Sequence, residues 1–158
     1  MPQPAAEYTI RPATTADLEI VLQHRRRMFE DMGFKDPLAM QAMFRSSTPL
    51  LEKGLASGRY RGWLVEAGPD GVVAGGGVIV LDFQSHPIDP RAQRAWVVNM
   101  FTEPAHRHRG LARRLMDVMI AWCRADGMKI LYLHASDFGR PLYESLGFEP
   151  TNEMRLVL

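Results

Sequence analysis

Cysteine is almost missing from this chain: its 158 residues include one, Cys123. A single thiol can form neither an internal disulfide nor a thiolate cluster for a metal, which suits a reducing compartment. An excess of charge is also missing, since 19 lysines and arginines face 18 acids. That balance argues against a general polyanion binder. No apolar run is long enough to span a bilayer, and the start lacks the basic and apolar regions of a secretory leader. A cytoplasmic protein without a membrane partner is therefore expected. The phosphate-loop pattern G-x-x-x-x-G-K-[ST] does not occur, nor does G-x-G-x-x-G after a first strand, which excludes the usual routes to nucleotide hydrolysis and nicotinamide chemistry. The five histidines, His24, His86, His106, His108 and His134, show no ligand spacing, so no metal site is expected. Repeats, low-complexity segments and linkers are absent. The chain is about one domain long.

The stretch Arg107-His108-Arg109-Gly110-Leu111-Ala112 lies between two contrasting segments. Ala95 through Thr102 is apolar and β-branched, and it predicts a buried strand. Beyond the glycine, Leu111, Leu115, Val118, Met119 and Trp122 recur at three- and four-residue spacing, which predicts a helix with one apolar face. Gly110 thus stands at a strand-to-helix turn, where unpaired backbone N–H groups and the positive end of the helix dipole converge. Arg107, Arg109, Arg113 and Arg114 add charge, and no acid lies between Ala105 and Met116. The local reading is an anion site suited to a pyrophosphate. A packing turn with a solvated basic face would look the same in isolation.

A second stretch separates these readings. Lys129–His134 predicts a strand, and Ala135–Phe148 a short helix ending in glycine with Tyr143 one turn before its end. Together the two stretches resemble the GNAT superfamily of acyl-CoA-dependent N-acetyltransferases. Its loop [RQ]-x-x-G-x-[GA] is matched by Arg107, Gly110 and Ala112, and its Tyr-x-x-x-Gly-Phe helix end by Tyr143, Gly147 and Phe148. Tyr8–Thr14 followed by Asp17 resembles the family's opening strand and helix cap.

The resemblance implies an α/β (α+β) fold: one domain over 8–158, a mixed and mostly antiparallel sheet with splayed central strands, and helices on both faces. Residues 1–7 are expected to be a flexible N-terminus. It also implies acetyl-CoA as cosubstrate and a primary amine of a small molecule or peptide as acceptor. Backbone amides of His108, Arg109, Gly110, Leu111, Ala112 and Arg113, with Arg107 before them, would cradle the pyrophosphate. Met100, Phe101 and Thr102 would take the pantetheine arm along a strand edge, and the N–H near Phe101 would face the oxyanion. Ser136 stands where many relatives carry an asparagine that touches that arm. Tyr143 is the expected general acid, since a phenol with an ordinary pKa near 10 can protonate a thiolate.

The general base is not fixed. Positions where relatives place a glutamate hold Leu131 and Trp96, which leaves His134, Glu103 and Asp137, or no side-chain base. Two other classes remain beside the enzyme: a noncatalytic acyl-CoA-binding protein, and a nucleic-acid-binding module using His106–Arg114. The second is disfavoured because its charge is gathered in one turn. A homodimer stays open.

Elsewhere the pattern predicts a strand over 8–12, and a helix capped by Thr15 with a stripe of Leu18, Val21, Leu22, Arg25, Met28 and Phe29. A helical region over 36–57 is expected to break at Pro49. A hairpin across Pro69-Asp70-Gly71 and, at the end, residues 148–150 with 153–158 as a last edge strand or hairpin complete the outline. His24-Arg25-Arg26-Arg27 is read as a solvated face, and Met28, Phe29, Met32 and Phe34 as core or pocket lining. Asn99 would point into the cleft or satisfy a buried backbone group. Cys123 reads as core filler.

Overall fold

Local chemistry starts the fold at Thr14. Its hydroxyl accepts from the Ala16 N–H, while the Asp17 carboxylate accepts from the Thr14 N–H at 2.8 Å. The cap is therefore Thr14, one residue before the expected Thr15, because only from there can residue three return its carboxylate to the cap. The computed structural model describes residues 7–158. The expectation for 1–7 falls, except for Glu7, outside the described residues.

After β1 (Thr9–Pro12), a single 3-10 turn leads into α1 (Leu18–Asp31) and α2 (Pro37–Ser57). Helix α2 runs through Pro49 without a break. Pro49 stands on the exposed side, where water can take the carbonyl that loses its donor. There follow β2 (Tyr60–Glu66), β3 (Val72–Asp82), β4 (Gln93–Thr102), α3 (Leu111–Ala125), β5 (Leu131–Leu133) and α4 (Arg140–Ser145). The five strands form one sheet in chain order, antiparallel except for the parallel pair β4–β5. The architecture is a single α+β domain with helices on both faces.

Each face has its own core. On one, Leu115, Met116, Met119 and Cys123 of α3 pack on Val65, Val78 and Val97. On the other, Val21 and Leu22 of α1 and Leu51 of α2 cover Tyr60 and Ile79, with Trp96 and Val98 at the margin. Cys123 is core filler as expected: burial pushes its thiol up to about 11, so it holds no thiolate near neutrality.

The expected last edge strand does not form. Thr151–Leu158 makes no ladder, and Met154, Leu156, Val157 and Leu158 are exposed. Pro150 lacks a ladder donor and β5 offers only three residues to pair with. Alternating apolar residues do not make a strand without a partner edge.

The Arg11 guanidinium donates to both Asp17 oxygens at 2.9 Å, and with the Thr14 N–H it holds the Asp17 carboxyl down to about 2. A carboxyl whose folded pKa lies below its unfolded value near 3.9 stabilises above that value and loses the effect as pH falls toward 2. Asp17→Asn is expected to lower stability by about 1–2 kcal/mol at pH 7. The gap to the parent should close between pH 4 and pH 2, as read by urea denaturation across pH.

Candidate active site

The sheet carries one marked irregularity, in β4. Gly77 pairs with Val98 and Gly75 with Phe101, so the single residue Gly76 faces two, Asn99 and Met100. An extra residue reverses which side chains face which side of a sheet. Before the bulge, Trp96 and Val98 face α1 and α2. After it, Asn99 and Phe101 face that side, while Met100 joins the core under α3. Asn99 holds the irregular backbone with φ of +60°, a left-handed conformation that asparagine tolerates better than most residues.

Asn99 is 3% exposed and fully used. Its amide donates to the Tyr60 hydroxyl at 3.3 Å, and its oxygen accepts from Nη1 of Arg25 at 3.0 Å. Of the two roles expected for it, satisfying a buried backbone group does not hold, since its partners are side chains. Burial pushes the Tyr60 phenol up to about 12, so it stays neutral. A Cβ on Gly77 would lie 2.5 Å from the Tyr60 ring, so glycine there is what lets the ring reach Asn99.

Next to the bulge the sheet opens. β5 pairs with β4 only from Ala95↔Leu131 to Val97↔Leu133. β4 then continues to Thr102 without a neighbour on that side, leaving the edge at Met100–Thr102 unpaired. Because β5 is the last strand, the splayed pair sits at the end of the sheet.

The loop from Arg107 to α3 follows directly. His108 and Gly110 both have left-handed φ, +59° and +75°. Arg114 donates to the Gly110 carbonyl at 3.1 Å, and the amides from His108 to Arg113 make no hydrogen bond among the described residues. Around Gly110 no atom lies within 4 Å of where a Cβ would stand. Leu111 is buried and anchors the helix start, with Ala112 half-buried behind it.

The arginines are less available than their spacing suggests. Arg107 turns back, donating to the Thr102 carbonyl at 3.0 Å and to Asp31 at 2.6 Å. Arg113 reaches Ser145, and Arg114 the carbonyl of Tyr8. Arg109 and His108 are exposed.

Two further expected residues flank the opening from opposite faces. Tyr143, on α4, packs with the α3 core beside Phe148, and burial pushes its phenol above its ordinary value. Its hydroxyl makes no hydrogen bond among the described residues. Ser136 accepts from the Gly139 N–H at 3.1 Å and so helps start α4. His134 stands at the end of β5 on the other face, its ring 4.7 Å from that of Trp96, its side chain 78% exposed, with Glu153 at 3.4 Å. Glu103 is paired with Arg27, and Asp137 is exposed.

The solvated face expected at His24–Arg27 is not solvated. His24 is 5% exposed, its ring tilted against that of Phe101 at 5.3 Å, and burial holds it down to about 4. Arg25 is half-buried, and only Arg26 is open. The signal was present, since positions 24 and 25 lie three or four residues from Val21 and Leu22, on the inward stripe. Conversely, Met32 and Phe34 are half-exposed rather than core.

A family model described as Acetyltransferase (GNAT) family matches residues 20–148. The chain belongs to this family. A GCN5-related N-acetyltransferase from Ralstonia eutropha JMP134 shares 35% identity at a TM-score of 0.89, over 96% of this chain and 99% of that one. A predicted acetyltransferase from Clostridium acetobutylicum, solved with acetyl-CoA, shares 23% at 0.87, over 96% of each. The aminoglycoside N-acetyltransferase AAC(6')-Iy, solved with CoA, shares 16% at 0.70, over 100% of this chain and 97% of that one. These last two show the GNAT fold alone. A search of the curated proteins found no match. Among the described residues no helix is long and apolar enough to cross a membrane, and no three His, Cys, Asp or Glu side chains group as metal ligands.

Replacing Asn99 separates the two things it does. Asn99→Ala and Asn99→Gly lose the same side-chain bonds, but only alanine resists the left-handed backbone. Both should destabilise, alanine by about 1 kcal/mol more than glycine. Urea denaturation measures the difference, and equal losses would mean the bulge is not held in this conformation.

Proposed function

We propose that this chain transfers an acetyl group from acetyl-CoA to the primary amine of a small molecule or peptide by direct attack. One observation carries the reading: an unpaired strand edge at the β4 bulge lies in line with a helix start whose amides have no partner. Both ask for a ligand that is polar along its length and anionic at one end.

The fit to coenzyme A rests on that geometry. The open space at Gly110 leaves a phosphate free to approach the amides of His108 through Arg113. The edge Met100–Thr102 would take the pantetheine amides, and Ser136, just before α4, would meet the same arm. Arg107 serves by holding the Thr102 carbonyl and the end of α1, rather than by touching phosphate. When bound, acetyl-CoA supplies an activated thioester.

The sheet divides the work between its faces. Tyr143, on the α3 side, hands its proton to the departing thiolate; burial keeps the phenol protonated through the neutral range. A backbone N–H near Phe101, on the edge that faces away from β3, donates to the carbonyl oxygen as charge builds on it. On the α1 side, His134 stands over Trp96 where the amine would enter, and it is the side chain we place at the ammonium proton. Glu103 is committed to Arg27.

Tyr143→Phe should leave CoA binding by calorimetry unchanged and lower thiol release with a saturating amine by roughly 10²-fold or more. Full turnover in the variant would remove the phenol from the chemistry. Tight CoA binding with no turnover of any amine by the parent would point to a noncatalytic binder.

A further inference from the structure

Three arginines around the site are matched by acids, Arg11 by Asp17 and Glu66, Arg27 by Glu103 and Arg107 by Asp31, while Arg109, Arg113 and Arg114 have no acid but lie exposed to water. Arg25 is different. It is half-buried on α1, and no carboxylate touches it among the described residues. Its neighbours are neutral: the Asn99 amide at 3.0 Å, the Tyr60 phenol behind that amide, and the Phe29 ring at 5.0 Å. A charge taken out of water without a counter-charge is costly, and something anionic is what would complete it.

The guanidinium also has a particular unused edge. Nη1 is taken by Asn99, while Nε is shut off from water and has no acceptor. Nε–H and one Nη2–H point the same way, the side-on pair or fork that fits the two oxygens of a carboxylate. With Nε closed off, Nη2 is the donor that an entering carboxylate meets first, and Nε joins only as the side chain shifts. Asn99 stands in the bulge, two residues before Phe101. Arg25 therefore marks a point only a few bonds from where an amine would meet the acyl carbon.

Building on the acetyltransferase reading, we propose that Arg25 recognises a carboxylate on the acceptor, so that the substrates are amines carrying a carboxylate within a few bonds, such as amino acids. Arg25 is a specificity residue, acting on the acceptor and not on the reacting atoms. The same charge disfavours polyamines and aminoglycosides, whose ammonium groups it would repel.

Matched acceptors test this: α-amino acids and β-alanine, the corresponding amides, and phosphoethanolamine, with rates corrected for the fraction of neutral amine. The parent should prefer each acid over its amide by at least roughly tenfold in kcat/KM. Arg25→Gln should lose roughly 10- to 100-fold more on the acids than on the amides, mainly in KM, whatever the loss of its bond to Asn99 does to both. Arg25→Lys, which keeps the charge but not the fork, should fall between and serves if Arg25→Gln does not fold. Calorimetry of the acceptors into the CoA complex should show binding of the amino acid weakened more than binding of its amide. An unaltered acid-to-amide ratio in Arg25→Gln overturns the proposal, as does a parent that favours amides, polyamines or the phosphate ester. If the parent binds acetyl-CoA and acetylates only such amines, this proposal fails and the acetyltransferase reading stands. If it neither binds acetyl-CoA nor releases thiol, both fail.

Discussion

An extra residue in an antiparallel strand breaks the ladder, and it persists only where other interactions outweigh the loss. In this chain those interactions converge on Asn99, with Tyr60 bonded to its amide and Arg25 to its oxygen. Because Asn99 is fixed, β4 changes face between Val98 and Phe101, and its last residues run past the end of β5. The opening in the sheet, the burial of Phe101 against His24, and the position of the loop into α3 all follow from that one point. The glycines of β3 belong to the same constraint, since Gly75 and Gly77 leave the room that His24 and Tyr60 occupy.

Charge organises the rest. Arg107 ties the end of β4 to the end of α1, and Arg27 ties α1 to the residue after β4. What the basic loop leaves open is less its side chains than its unpaired amides and the helix start, the groups that suit an anion. Two of its arginines are occupied by Ser145 and the Tyr8 carbonyl. Against this background, Arg25 is a half-buried cation that no acid touches among the described residues.

What the sequence made legible was whatever depends on neighbours in the chain. The turn at Gly110, the apolar face of α3, the hairpin at Gly68–Asp70 and the family motifs at Arg107–Ala112 and Tyr143–Phe148 were readable in this way. What escaped depends on distant partners. Nothing near His24 announces that β3 carries glycines for it to lie against, and nothing near Pro49 shows that the freed carbonyl faces water. The tail at 153–158 has the composition of a strand but no edge to join. Arg25 is the instructive case: its place on the apolar stripe was visible, while its bond to Asn99 spans 74 residues.

The central claim is that the β4 edge and the start of α3 form one ligand-binding surface. Amide hydrogen exchange with and without CoA tests it most directly. The account predicts that the amides of His108–Arg113 and of Met100–Thr102 slow together on adding CoA, while those of α2 do not change. Slowing elsewhere, or at only one of the two segments, would contradict it.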